Sequence, residues 1–309
     1  MSVAITPPEF KLSYLAPRYW PVWLGAGLLY LLTWLPLPVI RKIGAGVGLL
    51  IAKLVPKRAK IAKRNIALTY PELSETQQEA LVEENIRRTG MAVFETAMGW
   101  WWPTWRIKRA FTIEGYEHVQ AALQQGKGVF GMALHNMNLE FACRGLGYTH
   151  PSIAFYRKHN NPLVDYMQYH GRARSNKYMI HKRNARALLA ALDSQELCLY
   201  LPDQDYGRAQ SIFVPFGGVA ETATSTATLM FLRRANCVPM LITSQYTSSG
   251  YKVKIYPPLT ELAEMEDHAA LTLLNQHIAE ILKEQPESYL WMHKRFKTRP
   301  DDSAPSLYD

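Results

Sequence analysis

Gly128-Val-Phe-Gly-Met-Ala-Leu-His-Asn-Met-Asn-Leu-Glu140 is an apolar run that ends on a histidine and reaches a carboxylate five positions later. The residues before His135 have the composition of a buried strand, and those after Asn138 have the pattern of a helix. On one regular helix a separation of five places two side chains about 140° apart, so they could not meet. Across a strand-to-helix turn they can converge, and a carboxylate beside an imidazole fixes the tautomer that accepts a proton. The spacing therefore nominates His135 as a general base with Glu140 as its partner. A loop histidine and a surface glutamate would give the same pattern, so the surroundings carry the decision.

Outward from this stretch the chain alternates. Strand-like runs at 128–134, 152–157, 196–202, 211–216, 238–246 and 251–256 are interleaved with helical patterns near 116–125, 138–146, 162–173, 184–193, 221–235 and 263–284. Such alternation predicts an α/β fold, a mixed and largely parallel sheet covered by helices. Sheets of this kind bind ligands beyond the carboxyl ends of their strands. His135 follows one run and Asp203 follows another, Glu196-Leu-Cys-Leu-Tyr-Leu-Pro202. Arg157 and Lys158 follow the run 152–157, and Arg172, Arg174 and Lys177 close a helical pattern. Each cluster alone fits a solvated charged face. Guanidiniums and carboxylates at several strand ends of one sheet suit a clamp for phosphate or for a developing oxyanion.

The N-terminal third has a different character. Between Arg18 and Arg41 no charged residue occurs for 22 positions, and Trp20, Trp23 and Trp34 lie near the ends of that run. Its length suits a membrane anchor, although Pro36 and Pro38 predict that the helix stops near Leu35, which leaves a buried hairpin or an interfacial helix open. Eight basic and no acidic residues follow between Arg41 and Arg64, which places this side at the cytoplasmic face. Gly44, Gly46 and Gly48 read as close helix packing rather than a phosphate loop. Ser74-Glu-Thr-Gln77 fits a capping box for a helix over 76–98. Four of the eight tryptophans fall in Trp100–Trp105 with Arg106, Lys108 and Arg109 behind them, a pattern read as interfacial membrane contact over an aromatic core corner.

The 309 residues carry a formal charge of +9, which favours anionic partners. The three cysteines sit in apolar contexts and read as buried thiols. No Gly-x-Ser-x-Gly elbow, His-Glu-x-x-His, Cys-x-x-Cys pair, Walker loop or dinucleotide fingerprint is present. The apolar run and the tryptophans point the basic charge to lipid rather than nucleic acid. A base without a nucleophilic Ser or Cys suits direct transfer, in which a deprotonated hydroxyl attacks an activated acyl group.

His-x4-Glu behind an apolar N-terminal segment resembles the glycerolipid acyltransferase superfamily. In detail the chain resembles the lipid A late acyltransferase family, most closely its Kdo(2)-lipid IV(A) lauroyltransferase branch. The resemblance runs through Pro17-Arg-Tyr-Trp20, Lys57-Arg-Ala-Lys-Ile61, Tyr156-Arg157, Gly171-Arg172, Arg174-Ser-Asn-Lys177, Pro202-Asp-Gln-Asp-Tyr-Gly207, Phe213-Val-Pro-Phe216 and Lys294-Arg-Phe-Lys-Thr-Arg-Pro300. It implies His135 and Glu140 as the catalytic pair, with Arg172 and Asp203 as further functional polar positions. Arg172 would stabilise charge or contact phosphate, and Asp203 would order the arginine or the acceptor. Many relatives read His-x-Gly-Asn-Trp-Glu, whereas this chain has His135-Asn-Met-Asn-Leu-Glu140.

The implied reaction carries a secondary acyl chain, lauroyl or similar, from acyl carrier protein to a hydroxyacyl group of a lipid A precursor, without metal or organic cofactor. The implied partners are acyl carrier protein, the lipid A precursor and phospholipids of the bacterial inner membrane, with the catalytic part on its cytoplasmic face. The expected organisation is an anchor over 1–40, a basic and aromatic membrane-proximal region over 41–110, a catalytic core over 111–300 and a loose tail over 301–309. A glycerol-phosphate or lysophospholipid acyltransferase is the alternative enzyme, but its Glu-Gly-Thr-Arg block is absent. A catalytically silent lipid-binding protein would require the His135–Glu140 spacing to be incidental.

Overall fold

A computed structural model describes residues 4–308; Met1–Val3 and Asp309, at the ends of the expected anchor and tail, lie outside the described residues. The N-terminal part is helical: α1 (Trp20–Leu32), α2 (Leu37–Leu54), α3 (Pro56–Thr69), α4 (Glu75–Trp101) and α5 (Thr104–Ala110). Then follow β1 (Phe111–Glu114), α6 (Tyr116–Gln124), β2 (Gly128–Ala133), α7 (Leu139–Thr149), β3 (Ser152–Tyr156), α8 (Pro162–Arg172), β4 (Asn176–His181), α9 (Ala185–Asp193) and β5 (Leu197–Tyr200). The chain ends through β6 (Ser211–Phe216), β7 (Val219–Ser225), α10 (Ala227–Arg234), β8 (Cys237–Tyr246), β9 (Tyr251–Ile255) and α11 (Asp267–Glu284).

Seven of the strands form one sheet in the order β1-β9-β8-β2-β5-β3-β4. Every neighbouring pair is parallel except β8 with β9. The mixed, largely parallel sheet read from the alternation is therefore the one formed. All six residues of β2 are buried, and successive side chains serve opposite faces. Phe130 and Met132 join a core under α9, α10 and α11, while Val129 and Ala133 join one under α6 and α7. Covering both faces is what a parallel sheet requires, and burying a side chain the size of Phe130 contributes about 1.5–3 kcal/mol.

β6 and β7 stand apart as an antiparallel hairpin. The sequence pattern predicts helix over 221–235, but the structure keeps Thr222, Thr224 and Ser225 in β7 and starts α10 only at Ala227. The β-branched threonines fit a pleated surface, and hairpin pairing outweighs the helix-forming Ala223 between them. Gly217 at the hairpin turn has φ +54°, and a Cβ there would lie 2.6 Å from the Thr69 carbonyl oxygen. The short strands β1 and β4 carry no pattern distinct enough to announce them.

α4 begins at the expected capping box, with Ser74 and Gln77 bonded reciprocally. Gly44 and Gly48 of α2 pack against it, and a Cβ on Gly48 would meet the Ile86 carbonyl oxygen at 2.2 Å. That close approach is the packing expected of these glycines.

The expected membrane span is not formed: α1 has 13 residues, about 20 Å of helix, and among the described residues no helix is long and apolar enough to cross a membrane. The tryptophan cluster also departs from its reading. Trp102 is buried and donates to the Thr33 carbonyl, Trp101 packs against Tyr30, and Trp105 is the one of the four left exposed. The expected loose tail is tied down, since the Leu307 carbonyl accepts from Arg64 Nε at 2.6 Å and Tyr308 bonds Asn65 and Phe296.

Candidate active site

β2 delivers His135 to the carboxyl edge of the sheet. Leu134 makes a last bond there, its N–H donating to the Ile242 carbonyl at 3.1 Å, and the chain then turns away. The turn is stitched to the C-terminal segment, with Met137 N–H donating to Ser288 O at 2.7 Å and Leu290 N–H donating to His135 O at 2.9 Å. From the other side Asn136 Oδ1 accepts from Thr243 Oγ1 at 2.9 Å, and Asn138 accepts from Ser244. These bonds hold the His135 backbone before any substrate arrives.

The partner of the imidazole is Asp203 and not Glu140. His135 Nδ1 lies 2.6 Å from Asp203 Oδ1, and the His135 backbone N–H donates to Asp203 Oδ2 at 2.8 Å. The Asp203 side chain is fully buried. Burial pushes its carboxyl up, but the electrostatic attraction of His135 and both bonds from it outweigh that and hold it below the usual carboxylate range. An ionised carboxylate can only accept, so Nδ1 carries the proton and Nε2 keeps the lone pair. Nε2 makes no hydrogen bond among the described residues, and the side chain is 21% exposed. Tyr289, buried beneath, fixes the turn by donating its hydroxyl to the Asp203 carbonyl at 2.9 Å.

Glu140 sits in the first turn of α7 and binds the last residue of α8. Arg172 contacts both of its carboxylate oxygens, Nε reaching Oε2 at 3.2 Å and Nη2 bonding Oε1, while Trp100 Nε1 donates to Oε2 at 3.1 Å. Burial lowers the Arg172 basicity, but the Glu140 charge and hydrogen bonds outweigh it and raise it overall. Gly171 allows this approach, because a Cβ there would sit 2.4 Å from the Trp100 ring. The Glu140–Arg172 pair borders an apolar cavity of about 90 Å³ walled by Ala133, Leu139, Cys143, Ala154 and Leu199.

The four polar residues expected at the site thus divide into two pairs, with the partners exchanged. Asp203 orders the imidazole rather than the arginine, and Glu140 orders the arginine rather than the imidazole. Arg157 joins neither pair: it is exposed, and its guanidinium makes no hydrogen bond among the described residues. Arg174 donates to the Trp100 carbonyl at 2.7 Å, and Lys177 pairs with Glu196. Trp100 and Tyr289 have no signature of their own in the sequence, because each acts through a contact between distant segments. Cys143, Cys198 and Cys237 are free thiols, with Cys198 buried and the others half-buried. No group of three or more His, Cys, Asp or Glu residues among the described residues could hold a metal ion.

The family described as bacterial lipid A biosynthesis acyltransferase matches residues 7–298. The chain belongs to this family. A lipid A biosynthesis acyltransferase of Haemophilus influenzae is 38% identical over 308 residues, 98% of each chain. The lipid A biosynthesis lauroyltransferase of Escherichia coli is 38% identical over 97% of this chain and 99% of its own. The palmitoleoyltransferase of the same organism is also 38% identical, over 97% and 98%. As a lipid A acyltransferase the chain is an acyltransferase enzyme.

Proposed function

We propose that this lipid A acyltransferase moves a lauroyl or similar chain from acyl carrier protein to the hydroxyl of a hydroxyacyl group on Kdo-lipid IV(A). The observation that carries the mechanism is the His135–Asp203 pair, with Nε2 free and accessible. Nε2 takes the acceptor hydroxyl proton as that oxygen attacks the thioester carbonyl. Asp203 stabilises the imidazolium that forms. Arg172, held by Glu140 at the mouth of the apolar cavity, faces the developing oxyanion. The new C–O bond replaces the C–S bond, and the imidazolium returns its proton to the departing sulfur. No metal or organic cofactor enters these steps, and the cavity walls suit the start of the acyl chain.

We further propose that the enzyme works at the cytoplasmic face of the inner membrane, resting in the lipid surface. Trp20, Leu24, Leu28 and Leu31 of α1 and Leu50 and Leu54 of α2 are exposed, and Lys53, Lys57, Arg58 and Lys60 lie close behind in the chain. An apolar face with a basic border suits anionic bilayers. Residues 1–40 would then supply the surface anchor, 41–110 the membrane-proximal region and 111–300 the catalytic core.

Mass spectrometry of lipid A from a strain lacking the gene tests the substrate. Loss of one secondary acyl chain is expected, and purified enzyme given a panel of acyl carrier protein thioesters reads the chain length. An unchanged lipid A profile with no paralogue present, together with transfer to glycerol phosphate, would contradict the proposal.

A further inference from the structure

Three remote segments meet beside the His135–Asp203 pair in a recess of about 670 Å³. Lys57 and Arg58 come from the start of α3, Tyr206 from the loop after β5, and His293, Lys294 and Lys297 from the C-terminal segment. The recess borders the His135–Asp203 pair along two of these segments. Asp205 in its wall is two residues past Asp203, and His293 N–H donates to the carbonyl of Leu290, whose own N–H holds His135.

The charge of this recess is unbalanced. Four cations line it against one carboxylate, Asp205, and that carboxylate is spent internally on Thr298 N–H at 2.7 Å, Thr298 Oγ1 at 2.8 Å and Gly207 N–H at 2.9 Å. Lys57, Lys294 and Lys297 form no ion pair among the described residues. Lys57 and Arg58 also stand in the first turn of a 14-residue helix with no acidic residue and no side-chain cap, where the helix dipole disfavours cations. His293 Nε2 is buried without a partner in the same wall. Behind it Arg295, 2% exposed, has Nε and Nη2 unpartnered and no counter-ion among the described residues. Uncompensated positive charge of this density is stabilised by an anion. The open recess leaves room for a phosphate carried on a larger headgroup.

We propose that this recess binds the phosphate-bearing headgroup of the acceptor glycolipid. The inference rests on the acyl-transfer reading above and adds the subsite that anchors the acceptor. Leu54 and Val55, 71% and 49% exposed, stand immediately before Lys57 and Arg58, so the recess adjoins the apolar surface from which a lipid headgroup would arrive. The same phosphate chemistry occurs on the pantetheine arm of the acyl donor, and kinetics separate the two sources.

The test uses the full chain in detergent and the triple variant Lys57→Ala, Lys294→Ala, Lys297→Ala. With a phosphorylated acceptor its KM should rise at least about tenfold, the donor KM should stay put, and discrimination against a dephosphorylated acceptor should vanish. Affinity for inorganic pyrophosphate by calorimetry should fall at least about tenfold. A rise confined to the donor KM would move the recess to the pantetheine phosphate and overturn the acceptor assignment. Unchanged KM values and pyrophosphate affinity would overturn the site altogether. Lys297→Ala alone, at the exposed rim, gives the same readouts should the triple variant fail to fold. If wild-type enzyme acylates no hydroxyacyl acceptor yet binds pyrophosphate through these lysines, the recess stands and the acyl-transfer reading falls.

Discussion

Asp203 and Glu95 are buried to the same degree, 1% exposed each, and titrate in opposite directions. Both lose water, and that loss pushes both carboxyls up. At Asp203 the His135 imidazole and the His135 backbone N–H reverse the shift. At Glu95 the near partners are the neutral hydroxyls of Tyr246 and Tyr251, each at 2.8 Å, with Arg41 and Arg88 contributing less. They do not offset burial, and its carboxyl rises to about 7. The bonds each carboxyl accepts, rather than burial, therefore separate the carboxylate that holds the His135 imidazole from one that pins α4 to β8 and β9. The Glu140–Arg172 pair stands between them, half-exposed and matched by a guanidinium.

The largest expected effects fall on the His135 pair. His135→Ala should lower kcat about 10⁴-fold, and Asp203→Asn, which releases the tautomer, about 10³-fold, while Glu95→Gln leaves kcat within twofold of wild type. Initial rates of acyl transfer with protein levels matched check this ranking, and a loss in Glu95→Gln as large as in Asp203→Asn would break the contrast.

Glu140→Ala and Arg172→Ala should each cost about 10²-fold, and the double variant little more than either, because one substitution already frees the other partner. A double-mutant cycle in kcat/KM reads this, and additive losses would mean that the two residues act separately.

Stability should follow pH in opposite senses at the two buried carboxylates. The Asp203 carboxyl is depressed, so its contribution is complete above the usual carboxylate range and fades as pH falls through its lowered value. That of Glu95 is complete at acid pH and is lost as pH rises through about 7. Thermal midpoints from about pH 3 to about pH 8.5 should show wild type losing its advantage over Asp203→Asn at the acid end and over Glu95→Gln at the alkaline end. Parallel curves would contradict the assigned shifts. The smallest effect is expected of Tyr289→Phe, which removes one buried hydrogen bond to Asp203 and should cost about 1 kcal/mol in urea unfolding.

The α/β frame was legible because β2, β5 and β8 are short apolar runs between helical patterns, and those runs placed His135 and Asp203 at one sheet edge. Their pairing was not legible. His135 and Glu140 are near in sequence, and that nearness suggested contact, whereas β2 and β5 lie side by side and bring Asp203 across from 68 residues away. Glu140, in the first turn of α7, points to α8 instead. The apolar N-terminal run misled in a related way: its length suggested a span, but Pro36 and Pro38 divide it, and part of its surface packs on α4. The basic recess was hidden because Lys57 lies more than two hundred residues from Lys294 and Lys297 in the chain.

Asp203, and not Glu140, holds the His135 imidazole. Proton NMR of enzyme labelled with ¹⁵N-histidine observes the Nδ1–H directly. A downfield His135 Nδ1–H resonance is predicted in wild type and in Glu140→Gln, and its loss is predicted in Asp203→Asn. Loss in Glu140→Gln with retention in Asp203→Asn would make Glu140 the imidazole's partner instead.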